Sequence, residues 1–330
     1  PTSWRTRSKN NWGRLGMKYK LGDICTKIGS GATPRGGKDA YCNEGITLVR
    51  SQNVLDFSFS DNGLAFINEE QAARLNNVEV LSGDILLNIT GDSVARACMM
   101  EDSFLPARVN QHVAIIRGKN DVVINRYLLY FLQWKKSHLL QLASGGATRN
   151  ALTKGMIEQL EIDLPQLSQQ KKIVNILGSL DDKIALNNKI NDNLEQQAEA
   201  IYNYMFIVNN DPDWKHGCLK DLVNVKYGKD HKKLADGPYP VYGSGGIMRY
   251  VERPLYEKES VLIPRKGTLN NVIYVNQPFW SVDTMFYTEM KIPNVAKFVY
   301  QFVKSKDLTS MNAGSAVPSM TTDILNAMEI

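Results

Sequence analysis

Between Leu164 and Phe206 the chain reads LPQLSQQKKIVNILGSLDDKIALNNKINDNLEQQAEAIYNYMF, and no proline follows Pro165 until Pro212. Ser168 stands as the candidate N-cap just past Pro165. Apolar residues then recur in threes and fours, at Ile173, Leu177, Leu180, Ile184, Ile190, Leu194, Ala198, Ile201 and Met205, with a polar Asn187 midway between Ile184 and Ile190. The spacing predicts a helix over 168–206, roughly 58 Å long at 1.5 Å per residue. Its apolar seam is narrow, closer to a coiled coil than to the broad face of a buried helix. Gly178 and the Asn-rich centre are the weak points of an unbroken rod. Such a rod cannot fill its seam alone and calls for a second helix, from this chain or a partner.

A chain of 330 residues is long for one domain, and 43% hydrophobic content supplies ordinary cores. No run of about 18 apolar residues offers a membrane span, and the first 16 residues lack the apolar core of a secretion signal. Cys25, Cys42, Cys98 and Cys218 are far apart, and the four histidines are scattered, so neither a zinc site nor a disulfide framework is expected. The reading is a cytoplasmic protein with reduced thiols. Of the net charge of +5, Arg5, Arg7, Lys9 and Arg14 fall in residues 1–16, which form an arm or upstream read-through with no function assigned. The rest is close to neutral, so a nucleic-acid face must come from local clustering.

From Met17 the pattern is short strands and turns. Leu21-Gly-Asp-Ile24 leads to the Gly-rich stretch Gly29 to Lys38, and Ile46–Arg50, Glu79–Ile89, Asp92–Met99 and His112–Ile116 read as strand regions. Asn125 to Leu142 is apolar at helical spacing, and Gly145-Gly146 breaks it. After the rod, Asn209–Asp213 is a turn-rich linker. The organisation then restarts. Leu219-Lys-Asp-Leu222 echoes Leu21–Ile24, and Glu259–Ile263 echoes Gly83–Leu87. Ser319 to Ile330 aligns without gaps on Ala151 to Ile162, matching at Thr153/Thr321, Glu161/Glu329 and Ile162/Ile330. The expected architecture is α+β, with two related domains separated by a long coiled-coil-type helix: residues 17–163, a helical spacer at 164–208, and residues 209–330. In the first copy the repeated motif runs into a rod; the expected second rod is missing after Ile330, which predicts a truncated chain or a designed fragment.

Catalytic signatures are weak. Ala32 to Asp39 only approaches a phosphate-binding loop, because Asp39 stands where Ser or Thr should hold magnesium. Gly243-Ser-Gly-Gly246 lacks dinucleotide-binding spacing. Asp283, Glu289 and Lys291 faintly resemble a nuclease triplet, but such triplets are common by chance and Val282 to Tyr287 reads as a strand. No catalytic site and no metal site is expected. Loops rich in Gly, basic, amide and hydroxyl residues suit phosphate contact and base-edge readout. The candidates are Arg35, Lys38, Arg50, Ser51, Gln52, Asn53 and Arg149 in the first domain. In the second they are Lys226, Tyr227, Lys229, Lys232, Lys233, Tyr242, Ser244, Arg249, Arg265 and Lys266. The partner-binding seam comprises Ile173, Leu177, Leu180, Ile184, Asn187, Ile190, Leu194 and Ile201.

LPQLSQQKKIVNILGSLDDKIALNNKI at 164–190, SGATP at 30–34 with ITLVRSQNV at 46–54, and VYGSGGI at 241–247 with VLIPRKGT at 261–268 and FWSVDTMFY at 279–287 give the chain a recognisable signature. It resembles the specificity subunit of a type I restriction-modification system over about residues 17–330, apparently without the distal conserved helical region. The resemblance implies two domains that each read one half of a bipartite double-stranded DNA target. It implies a helical spacer that binds methyltransferase (modification) subunits, with a restriction/translocase subunit also in the complex. S-adenosylmethionine, ATP and Mg are then expected on partner subunits, in adenine methylation or ATP-driven cleavage, and none on this chain. Self-association through the helix is a further expectation. The alternative is a truncated or silent-cassette scaffold that binds partners without productive DNA recognition.

Overall fold

The computed structural model describes residues 16–34, 36, 40–145, 150–311 and 319–330. The chain divides between Leu186 and Asn187 into two compact units, so each unit takes one half of the long helix.

In the first unit, one antiparallel sheet has the strand order Cys25–Ser30, Val113–Gly118, Ile85–Asn88, Ala97–Met99. The second sheet runs Ala65–Ile67, Ile46–Val49, Ala107–Val109, Glu79–Val80, with Ile46–Val49 and Ala107–Val109 parallel. Strand Ile85–Asn88 is buried at every position, because Ile85 and Leu87 face one core while Leu86 faces the other. This is the short apolar run expected of a strand covered on both faces. The helices Asn125–Trp134 and Lys136–Ser144 close the first core with Leu128, Leu132 and Leu139.

The second unit repeats this plan by itself. Its antiparallel sheet has the order Val223–Tyr227, Met285–Met290, Ser260–Pro264, Ile273–Val275. Its other sheet pairs Gly246–Val251 with Tyr239–Gly243, and Tyr239–Gly243 runs parallel to Trp280–Ser281. The matched sequence echoes take up the same local structure. Leu21–Ile24 and Leu219–Leu222 are single helical turns, with Asp23 accepting from the Lys20 N–H (3.3 Å) and Asp221 from the Cys218 N–H (2.7 Å). Thr153 and Thr321 are both N-caps, accepting from the N–H of Met156 and of Ile324, each at 3.3 Å. Leu21 donates its N–H to the Leu160 carbonyl (3.0 Å), and Leu219 donates to that of Met328 (2.9 Å).

Several readings change. Glu79–Ile89 is two strands in different sheets, Glu79–Val80 and Ile85–Asn88, and Asn125–Leu142 is two helices that meet at Lys135. Asp92–Met99 is not a continuous strand: only Ala97–Met99 is extended. Residues 91–96 form turns, with the Val94 N–H on the Gly91 carbonyl, the Arg96 N–H on the Ser93 carbonyl, and Ala95 at φ +67°. The helix is α over Leu167–Asn203 and ends in a π-turn at Tyr204–Val208. It is unbroken at Gly178. There the glycine admits the Arg126 guanidinium, whose Cζ would stand 2.9 Å from an added β-carbon.

Candidate nucleic-acid interface

Ser51 and Gln52 follow directly from strand Ile46–Val49, and the first unit holds them by its backbone. The fully buried Asn88 donates its amide to the carbonyls of Ser51 (2.8 Å) and Val54 (3.2 Å). Asn53 is also fully buried, donating to the Ser60 and Asn62 carbonyls and accepting from the Arg50 N–H. Asn53 is therefore corrected from a base reader to a brace of its loop: no part of its amide is left for a ligand. Arg50 is half-buried, and its guanidinium donates to the Gly63 carbonyl, as does the exposed Gln52 amide at 3.1 Å. Arg35, Lys38 and Arg149 lie outside the described residues.

Ser51 and Gln52 line one side of an open cleft of about 690 Å³. Its other polar side chains come from Thr90, Asp92, Ser93, Arg96 and His112. None of these five was among the sequence candidates. Arg96 was hidden inside the misread strand, and His112 carries no local motif. The sequence sign of the turn is Gly91-Asp92-Ser93, in which Gly91 adopts φ +76°. The Thr90 hydroxyl lies 2.6 Å from His112 Nδ1, and His112 Nε2 lies 2.9 Å from the Gln111 amide, so the imidazole is held at both nitrogens.

The internal repeat places a second site at the equivalent locus. Val49 accepts from the Asn110 N–H (3.0 Å) as Tyr242 accepts from that of Val282 (3.1 Å), and Ser51 and Ser244 each stand two residues beyond. Ile89 donates to the His112 carbonyl as Arg265 donates to that of Thr284. Thr90 bridges Ala151 as Lys266 bridges Ser319. Thr90 and Lys266 are thus counterparts, on loops that leave matching strands.

In this second locus the Arg265 guanidinium lies 5.4 Å from the centre of the Tyr227 ring, and Tyr227 is 51% exposed. The loop after Arg265 meets the tip of the neighbouring hairpin, where Asn271 donates to the Ser244 carbonyl at 2.6 Å. Gly267 has φ +86°, and a β-carbon there would stand 2.7 Å from Ser244 Oγ, so glycine is required at this contact. Lys229, Lys232, Lys233 and Lys266 are exposed, and among the described residues none of them forms an ion pair. Lys226 approaches Glu289 at 3.9 Å.

Two second-domain candidates are corrected. Tyr242 is 8% exposed and belongs to the core, with its hydroxyl accepting from the Gln277 amide at 3.4 Å. Arg249 is ion-paired with Asp236 at 2.6 Å and donates to the Leu234 carbonyl, so it ties its strand to the preceding loop. The nuclease-like triplet is not assembled either: Glu289 turns to Lys226, and the Lys291 ammonium donates to the Lys220 carbonyl.

Each unit grips the long helix through a tyrosine and a cation one helical turn apart. Arg126 pairs with Asp182 at 2.8 Å, while Tyr130 donates to Asp181. Burial, and next the bond to Asp181, pushes the Tyr130 phenol up to about 12. In the second unit Tyr300 and Lys304 both donate to Glu195, and these bonds hold its carboxyl below the usual range. Gln170, fully buried, accepts from the Ile124 N–H and donates to the carbonyls of Val122 and Pro165. The predicted seam is left open. Ile173, Leu177, Leu180, Ile184, Ile190, Leu194 and Ile201 are 37–60% exposed, and Asn187 is exposed as well.

The family model described as type I restriction modification DNA specificity domain matches residues 16–196 and again 212–330. The chain is 30% identical over 231 residues to the type I restriction enzyme MjaIX specificity subunit of Methanocaldococcus jannaschii, covering 64% of this chain and 52% of that one. It is 24% identical over 193 residues to the type I restriction enzyme HindI specificity subunit of Haemophilus influenzae, covering 58% and 40%. The chain spans 40–63% of the length of the curated relatives it matches. Its fold is similar to the crystal structure of a type I restriction-modification S subunit from M. genitalium, with TM-score 0.62 and 16% identity over 97% of this chain and 85% of that one.

Proposed function

The chain belongs to the type I restriction-modification DNA specificity family, and from that premise we propose that it is a sequence-specific double-stranded DNA-binding subunit whose two units each read one half of a bipartite target. One observation carries this reading. Two units built on matching four-stranded antiparallel sheets present different polar side chains at one equivalent locus, Thr90, Asp92, Arg96 and His112 in the first and Tyr227, Ser244, Arg265 and Lys266 in the second. A shared frame with divergent loops is what two readers of different sequences require.

In this reading the unbroken helix sets an unread spacer between the half-sites. Its open seam takes up helical segments of methyltransferase subunits, and a restriction/translocase subunit completes the complex. Adenine methylation or DNA cleavage, with S-adenosylmethionine, ATP and Mg, then belongs to those partners, and this chain supplies the address.

The test is selection from random duplex DNA by the purified chain, followed by sequencing. The expected result is a split motif with a constant gap. Arg265→Ala is expected to blur the second half alone. Enrichment of no motif, or equal blurring of both halves, counts against two independent readers.

A further inference from the structure

The cleft of the first unit carries charges of both signs that no neighbour among the described residues neutralises. Arg96 is half-buried at its wall, and Asp92 is exposed on the same turn. Among the described residues neither forms an ion pair or a side-chain hydrogen bond, with the other or with any third group. The turn that bears them is held by backbone bonds from Val94 to Gly91, from Arg96 to Ser93 and from Ala95 to Asn88, so their spacing is set by the fold.

A pocket for phosphate would not keep a free carboxylate, because the two anions repel. A pocket for a cation would not keep a free guanidinium. The major-groove edge of a G·C pair offers two adjacent acceptors, guanine N7 and O6, and then the cytosine N4 donor, whereas an A·T pair alternates acceptor, donor and acceptor and leaves no adjacent pair of acceptors for a guanidinium. Arginine matches the first pair of atoms bidentately, and aspartate accepts from the third.

Resting on the DNA-binding reading above, we propose that this cleft reads a G·C base pair, Arg96 donating to guanine and Asp92 accepting from the cytosine amino group. Thr90 and His112, locked to each other at 2.6 Å, shape the adjoining wall.

The experiment repeats the random-duplex selection with the full 330-residue chain and with Arg96→Ala and Asp92→Ala. Circular dichroism of both variants confirms folding, since neither side chain bonds to another described residue. The expected result is that both variants relax one and the same base pair, a G·C in one half of the motif, by about tenfold or more, with the other half unchanged. Direct titration of duplexes carrying G·C or A·T at that position then shows the preference lost in each variant. If the wild-type chain selects a split motif that neither variant alters, or the two variants relax different positions, the G·C assignment is wrong while the DNA-binding reading stands. A uniform loss of affinity with the motif intact makes Arg96 a phosphate contact and also overturns it. If the wild-type chain selects no motif, the reading on which the assignment rests fails first.

Discussion

Gln170 shows how much one polar side chain can decide. It has no exposed surface, and its amide meets one backbone N–H and two carbonyls where the chain turns from strand Glu161–Pro165 into the helix. Gln170→Leu keeps the volume and strands those three groups. It is expected to cost about 1–3 kcal/mol, read as a lower urea midpoint at unchanged slope. Sequence pattern gave no hint of this role, since Gln170 looks like any polar residue in a first helical turn. Asn53 and Tyr242 were misread for the converse reason. Their types suit DNA contact, and only the folded loops reveal that Asn53 bonds to 60–62 and that Tyr242 faces inward. Chemical type is visible in a sequence; the direction in which a side chain points is set by turns whose dihedral angles are not.

The long helix was the most legible element, because a period sustained over many residues leaves little freedom in reading it. Its seam, its polar Asn187 and its extent all follow from spacing. The Gly178 site does not. In a solvated helix Gly→Ala gains about 1 kcal/mol of helix propensity. Here the new methyl group would press on Arg126, which holds the Gly178 carbonyl and Asp182. Gly178→Ala is therefore expected to give no gain alone, and about 1 kcal/mol when made in an Arg126→Ala background. A thermal double-mutant cycle measures the difference, and equal gains in both backgrounds would remove the steric role assigned to Gly178. Short strands were legible where they are apolar runs, as at 85–88. They failed at 92–96, where Val94, Ala95 and Arg96 look extended in sequence but turn in space.

For the whole molecule the repeat is the main fact, and it was readable from a dozen aligned residues at each unit's end because capping and pairing there tolerate few residue types. The middle of each unit was opaque, since the loops between matching strands have different lengths and chemistry. Charge acts at this scale too. Lys229, Lys232 and Lys233 lie on one loop of the second unit without ion pairs among the described residues. Replacing all three by Ala is expected to flatten the plot of log affinity against log salt by up to about 0.9 per lysine, with the selected motif unchanged. Fluorescence anisotropy across a salt series checks it, and an unaltered slope would take these lysines off the phosphate backbone.

Strand Gly16–Lys20 lies antiparallel to strand Glu161–Pro165, so the chain enters the first unit beside the point where it leaves. The second unit closes in the same manner, with Gly217 and Ile330 exchanging backbone hydrogen bonds at 3.2 and 2.9 Å. A module closed at its neck is a cassette: it can be exchanged for another with the same neck without rerouting the rest of the chain.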